Sequence, residues 1–478
     1  MSVPASESAG LAAALRAIVG ETGLRSGEAL DGLDPGADAR NLRARLLVRP
    51  ANTAELAAVL GACSAAGVAV VPQGGRTGLA GGAVSKAGEV VLSLERMNRI
   101  ERIDVVSRTA TVEAGVTLEA LAAALEPHGL AAGIDLGARG SATIGGMVST
   151  NAGGIDAFRY GTMRERVLGL EAVLADGTVL GELSRVRKDN AGLPLRQLFI
   201  GAEGTLGVVS RVVLALVRAG GPQHAALVLV PHLDAALGIL QQIDTEPGLT
   251  LAAAELMSGN HVEVTARALG VGQVAAAAPA AFAVLFAVSG PDPDALTTLL
   301  VRGSETGAIV DALLPKNAAE ERDLWRIRED WAVDRLRPGG LWYDVSVPLD
   351  AIAGYLAALK ARLHVHDPGL ELYVVGHLAD GNLHVTVNSE RPVTERYAEI
   401  APLVYEDLKR VGGSFSAEHG IGLEKVASLA SWSGARRMQL MRAVKAVFDP
   451  AGILNPGKVV GGGEGHGLET ARRAPPGR

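Results

Sequence analysis

The stretch PQGGRTGLAGGAV, Pro72 to Val84, most narrows what this chain can fold into: five of its thirteen residues are glycine, and it continues a short β-branched run, VAVVP. Glycine has no Cβ and adopts positive φ at little cost, so consecutive glycines can turn successive N–H groups toward one point and form a nest for anionic oxygen. A flexible surface loop would satisfy a lone run of this kind equally well. The run is not alone, however. DLGARGSATIGGMVSTNAGG (135–154) and GAEGTLGVV (201–209) have the same texture. Three such loops in one region are hard to read as linkers. They permit close backbone approach, and Ser141, Thr150 and Asn151 add groups that can hydrogen-bond a large polar cofactor. Two commoner phosphate motifs fail on inspection. GILNPGKV (452–459) has Walker spacing but ends in Val459 where Ser or Thr is needed, and GVGQVA (270–275) follows a helical pattern instead of a strand.

Around these loops the hydrophobic period alternates between helix and strand. TAELAAVLGACSAAG, with Thr53 as the candidate cap, and TLEALAAALEPHG, capped by Thr117, read as helices. EVVLSL and TATVEAG read as strands, and Asp176-Gly177 between two apolar runs signals a hairpin. These features predict an α+β unit over 42–219 after an N-terminal helical segment, 1–41. After GGPQ at Gly220 to Gln223 the glycines thin out, and strands and helices over 220–410 suggest a second unit. The segment 411–458 is again dense in motifs, whereas 459–478 lacks apolar periodicity and reads as a disordered tail.

Bulk properties close off several functions. A net charge of −7 argues against nucleic acid as a partner, because that affinity rests on clustered Lys and Arg. No run of eighteen or more apolar residues predicts a membrane span. The single cysteine, Cys63, cannot form an internal disulfide, and the N-terminus has no basic lead-in, so a cytoplasmic location is expected.

A second constellation lies near the C-terminus. In VVGHLADGNLHVTV, His377 and His384 flank an ADGN turn that can bring both imidazoles to one side, and SFSAEHGIGLEK adds Glu418 and His419. Two histidines and a carboxylate suit a divalent transition metal, although two separately hydrogen-bonded histidines explain the spacing as well. LWRIRED supplies Arg326 and Arg328, which on a helix would ordinarily be surface charges.

In their order and spacing, PQGGRTGLAGG, IGGMVSTNAGG, RYG, VLADGTVL and LFIGAEGTLGVVS resemble the FAD-binding domain of the vanillyl-alcohol-oxidase (PCMH-type) flavoproteins, in the branch of FAD-dependent D-2-hydroxyacid dehydrogenases. The resemblance spans about residues 40–458. It implies an α+β fold with a two-part FAD-binding domain, an α/β cap domain that holds substrate, and a C-terminal segment returning to the flavin. Pro72, Gln73, Gly74, Gly75, Arg76, Thr77, Gly78, Leu79, Gly82 and Ala83 would cradle the FAD pyrophosphate. Gly137, Ser141, Gly145, Gly146, Thr150, Asn151, Gly153 and Gly154 would line the dinucleotide and flavin. Glu203, Gly204 and Val208 would complete the adenine side, with Asn455 closing over the flavin. No histidine lies between residues 72 and 84, so the FAD is expected to be non-covalent.

The resemblance further implies that His377, His384 and Glu418 hold zinc or another divalent ion, that His419 is the general base, that Arg328 binds the substrate carboxylate, and that Asn382 contacts substrate or flavin. Ala332 and Trp342 stand where the hydroxyglutarate enzymes carry a hydroxyl side chain and a lysine. A second substrate carboxylate thereby loses its anchor, so the expected substrate is a D-2-hydroxy monocarboxylate such as D-lactate. A D-2-hydroxyglutarate dehydrogenase and a glycolate-oxidase-type subunit are the alternatives. A non-catalytic flavin relay would not need the histidines, and a phenol oxidase would leave them unexplained. Reduced flavin needs an acceptor: an electron-transferring flavoprotein, a quinone, a cytochrome or an iron–sulfur subunit are all compatible, as is a homodimer.

Overall fold

The computed structural model describes residues 5–461 except Ala278 and Pro293. These residues form two compact units, one from 5–219 together with 418–461, the other from 220–417.

In the first unit, helix Ala5–Val19 buries Leu15 and Val19 against Leu56, Val59, Leu60 and Cys63 of helix Thr53–Ala65. That second helix is capped by Asn52, whose side chain accepts from Glu55 N at 2.9 Å, and not by Thr53 as expected. Thr117 caps Leu118–Leu125 as expected, accepting from Ala120 N. Cys63 is buried, which pushes its thiol up to about 12 and makes it inert.

A four-stranded sheet has the order Leu24–Ser26, Leu46–Val48, Val90–Ser93, Val70–Gln73. The N-terminal segment is therefore more than helical, since it supplies an edge strand. An antiparallel five-stranded sheet runs Ile100–Asp104, Thr109–Glu113, Val208–Ala215, Val167–Val173, Val179–Glu182, its last pair being the Asp176-Gly177 hairpin. The stretch 135–154 is not loop throughout, because Ile144–Thr150 is helical behind its Thr143 cap.

The second unit is built on an antiparallel sheet of seven strands, in the order Asp311–Leu313, Gln223–Val230, Phe282–Ser289, Thr250–Ser258, Glu371–His377, Asn382–Asn388, Leu341–Ser346. Its middle strands are buried along nearly their whole length, so apolar residues occupy both faces. On one face, Val262 and Ala266 of helix Gly259–Leu269 and Leu324 and Ile327 of helix Ala318–Glu329 pack on Leu227, Leu229, Met257 and Leu285.

The chain leaves this unit between Ala417 and Glu418, later than the boundary at 410 read from the sequence. Ser414 pairs with Ser346, and Ala417 N donates to Asp344 at 3.1 Å, which keeps 411–417 with the second unit. Of the tail read from residue 459, the first two residues are tied to the first unit: Val459 N donates to Gly422 O, and Val460 is buried. The rest of that reading, 462–478, lies outside the described residues.

Candidate active site

In the first unit, the strand Val70–Gln73 delivers the glycine loop to a cleft lined by Pro72 to Gly78, Gly82, Ala83, Gly145, Gly146, Thr150, Glu203, Gly204, Val208 and His419. The backbone makes this shape. A Cβ on Gly74 would stand 2.2 Å from Thr143 Oγ1, and one on Gly75 would stand 1.8 Å from the Ser141 carbonyl oxygen. Arg76 sits in the left-handed region with φ 56°, which costs a non-glycine residue about 1–3 kcal/mol. Its Nε is buried and meets no hydrogen-bond partner, the kind of unmet donor that an anionic oxygen in the cleft would satisfy. Small residues, nest-forming glycines and this donor together fit the pyrophosphate of FAD.

Several residues expected to touch the cofactor also hold the cleft together. Gln73 Nε2 donates to Asn41 O and Ala83 O, closing the loop on itself. Glu203 accepts from Ile421 N at 2.7 Å and Gly422 N at 2.9 Å, which pins the turn carrying His419. Burial raises its carboxyl, and those two N–H groups oppose the rise.

Leu79, Gly137, Ser141, Asn151, Gly153, Gly154 and Asn455 are not among the lining residues. Asn151 accepts from Thr162 Oγ1 and Arg164 N, and Gly154 N donates to Glu418 Oε1 at 2.8 Å. Asn455 is buried, its amide donating to Gly82 O and Glu203 O while Oδ1 accepts from Lys458, so it ties the C-terminal segment to two glycine loops. Thr143, Ser149 and Gly207 line the cleft and were missed in the sequence. Thr143 carried a signal, as a cap residue directly before IGGMVST.

In the second unit, the ADGN turn closes the hairpin of strands Glu371–His377 and Asn382–Asn388, and the rings of His377 and His384 lie 5.6 Å apart between centroids. Each imidazole has a carboxylate on its Nδ1 side. Glu255 Oε1 stands 2.8 Å from His377 Nδ1, and Asp344 Oδ1 stands 3.7 Å from His384 Nδ1. At His377 the hydrogen bond to Glu255 favours the tautomer that leaves Nε2 to ligate, while Asp344 adds a negative charge near His384, so the pair suits a divalent ion.

Glu255 reaches further. Its Oε2 accepts from Arg328 Nε at 2.6 Å, so one buried carboxylate links the arginine to His377. Burial alone would raise this carboxyl, but the positive charge of Arg328 and the interaction with His377 outweigh it and bring it to about 2. Asn382 Nδ2 donates to Asp344 Oδ1 at 2.9 Å and to Val345 O, so it orients Asp344, while its buried Oδ1 meets no hydrogen-bond partner. Glu255 and Asp344 are the buried carboxylates beside the two histidines that the sequence reading lacked. An acid inside the apolar strand Thr250–Ser258 was the available signal for the first.

With fold and cleft in view, the class is that of an FAD-linked flavoprotein. A family of FAD-binding domains matches residues 44–181, and the family of C-terminal domains of FAD-linked oxidases matches 222–459. The D-2-hydroxyglutarate dehydrogenase, mitochondrial, of Bos taurus is 39% identical over 419 residues, covering 87% of this chain and 77% of its own. A D-2-hydroxyglutarate dehydrogenase of Xanthomonas citri pv. viticola is 37% identical, covering 86% of this chain and 88% of its own. A protein of Schizosaccharomyces pombe provisionally named a mitochondrial D-lactate dehydrogenase is 34% identical, covering 91% and 88%. The chain belongs to the FAD-dependent D-2-hydroxyacid dehydrogenases.

Solved structures agree on the fold. p-Cresol methylhydroxylase superposes with a TM-score of 0.72 at 18% identity, over 95% of this chain and 97% of that one. Alkyldihydroxyacetonephosphate synthase gives 0.68 at 16% identity, over 94% and 84%. Among the described residues, no helix is long and apolar enough to cross a membrane.

Proposed function

We infer that this enzyme oxidises a D-2-hydroxyacid to the 2-oxoacid, with a monocarboxylate such as D-lactate as substrate. The observation that carries the reading is the Arg328–Glu255–His377 chain beside His384, a fixed set of groups for one carboxylate and one hydroxyl. Arg328 binds the substrate carboxylate, for which a guanidinium is geometrically suited. His419 takes the hydroxyl proton as the Cα hydrogen departs with its electron pair, leaving the 2-oxoacid. When bound, FAD supplies the two-electron acceptor, and a divalent ion supplies Lewis acidity toward the hydroxyl oxygen. His377, His384 and Glu418 are the ligand set for that ion. Glu255 and Asp344 keep the two imidazoles in their ligating orientation. FAD is held non-covalently, in keeping with a Pro72–Val84 loop that has no histidine. Oxidation of D-2-hydroxyglutarate is the second reading, favoured by the names of the relatives.

Anaerobic addition of substrate to the FAD-loaded protein tests the reading. D-lactate is expected to bleach the flavin absorbance and L-lactate to leave it. A flavin that no D-2-hydroxyacid reduces would overturn the proposal.

A further inference from the structure

The sheet face that holds the histidine pair continues past it. Strand pairing sets Val375 and Asp344 opposite His384, and one step along the same face it sets Tyr373 and Trp342 opposite Thr386. Alternate residues of a strand share a face, so this second row lies about 7 Å from the first. Arg328, at the end of helix Ala318–Glu329, together with Trp331 and Asp334 just beyond it, closes a cavity over Trp342, Tyr373 and Thr386. A 2-hydroxyacid held by its carboxylate at Arg328 would have this cavity of about 20 Å³ beside it, room for a side chain of methyl or ethyl size.

The walls are aromatic and acidic. The Trp331 and Trp342 rings stand 4.1 Å apart, and Trp342 Nε1 donates to Asp334 Oδ1 at 3.0 Å. Asp334 is 7% exposed. Arg328 is the only arginine or lysine among the described residues lining the cavity, and its Nε is already engaged by Glu255. An incoming second carboxylate therefore meets Asp334 where little water separates them, the condition under which like charges repel most strongly.

The geometry points to Asp334, held by Trp342, as the residue that sets the substrate class: the cavity admits the neutral side chain of a 2-hydroxy monocarboxylate and rejects a second carboxylate. This rests on the D-2-hydroxyacid reading above. Burial raises the Asp334 carboxyl to about 6, so it is ionised at an assay pH of about 8.

The test is kcat/KM of the FAD-loaded full chain for D-2-hydroxyglutarate relative to D-2-hydroxybutyrate. Wild type should favour the monocarboxylate. Asp334→Asn should raise the ratio toward hydroxyglutarate by about tenfold or more, through KM, and Asp334→Glu should keep it low. Asp334→Ser replaces Asp334→Asn if the latter fails to retain flavin. A wild type that prefers hydroxyglutarate, or a ratio unmoved in both neutral variants, overturns the assignment and leaves the dehydrogenase reading standing. A flavin that no D-2-hydroxyacid reduces removes both.

Discussion

The glycine cleft and the histidine hairpin are built by opposite means. In the cleft, side chains are mostly absent and the peptide backbone is the recognising surface, so what matters is which atoms are missing. At the hairpin the backbone is regular antiparallel sheet, and the groups offered for recognition are the side chains of Glu255, Asp344, His377 and His384, so under the proposed function what matters is which atoms are present. The first design fails when anything is added and the second when anything is removed.

The sharpest way to break this contrast is Gly75→Ala. Its Cβ would fall 1.8 Å from the Ser141 carbonyl oxygen, so the backbone must move, and retained FAD, read from the ratio of flavin to protein absorbance, should be almost completely lost. Glu255→Gln should do the reverse: flavin content persists while kcat/KM falls by about 10–100-fold, because His377 loses its orienting charge. Equal loss of flavin in both variants would erase the distinction.

A third test separates the two units by acid. His261 is buried in the second unit with Nε2 3.1 Å from Ile327 O, and burial lowers it from 6.5 to about 4. Between those values the unfolded chain binds the proton and the folded one does not, so stability present above pH about 6.5 is lost as pH falls toward 4, by about 3 kcal/mol in all. The stability difference between wild type and His261→Gln in denaturant melts should change by this amount from pH 7 to 4, a comparison in which the opposite slope of Asp334, raised to about 6, cancels. The smallest effect belongs to the first unit. Asn52→Ala removes a helix cap and should cost about 1 kcal/mol in a urea melt, with substrate kinetics unchanged.

What could be read in advance follows the range of the forces involved. The caps of the early helices, the Asp176-Gly177 turn and the ADGN hairpin depend on neighbours within a few residues, and they were legible apart from the one-residue slip from Asn52 to Thr53. The glycine loops were legible as a group because glycine acts through its own φ. Glu255 was not. Its meaning comes from Arg328, 73 residues away, and His377, 122 residues away, and nothing beside it in Thr250–Ser258 announces either. Asn455 and Asn151 were harder to read for a related reason. Polar residues beside a cofactor loop can serve the cofactor or the loop, and only the observed partners decide.

The second unit is one continuous passage of chain between two parts of the first, and this imposes an order in time. Strand Val70–Gln73, which leads into the glycine loop, bridges to Leu454, and Val70 N donates to Ile453 O. During synthesis the strand can pair early with Val90–Ser93, but its other edge must wait for a partner made some 380 residues later, by which time every strand of the seven-stranded sheet is available. Domains fold as their chain emerges, so the substrate unit can mature first and the cofactor cleft last.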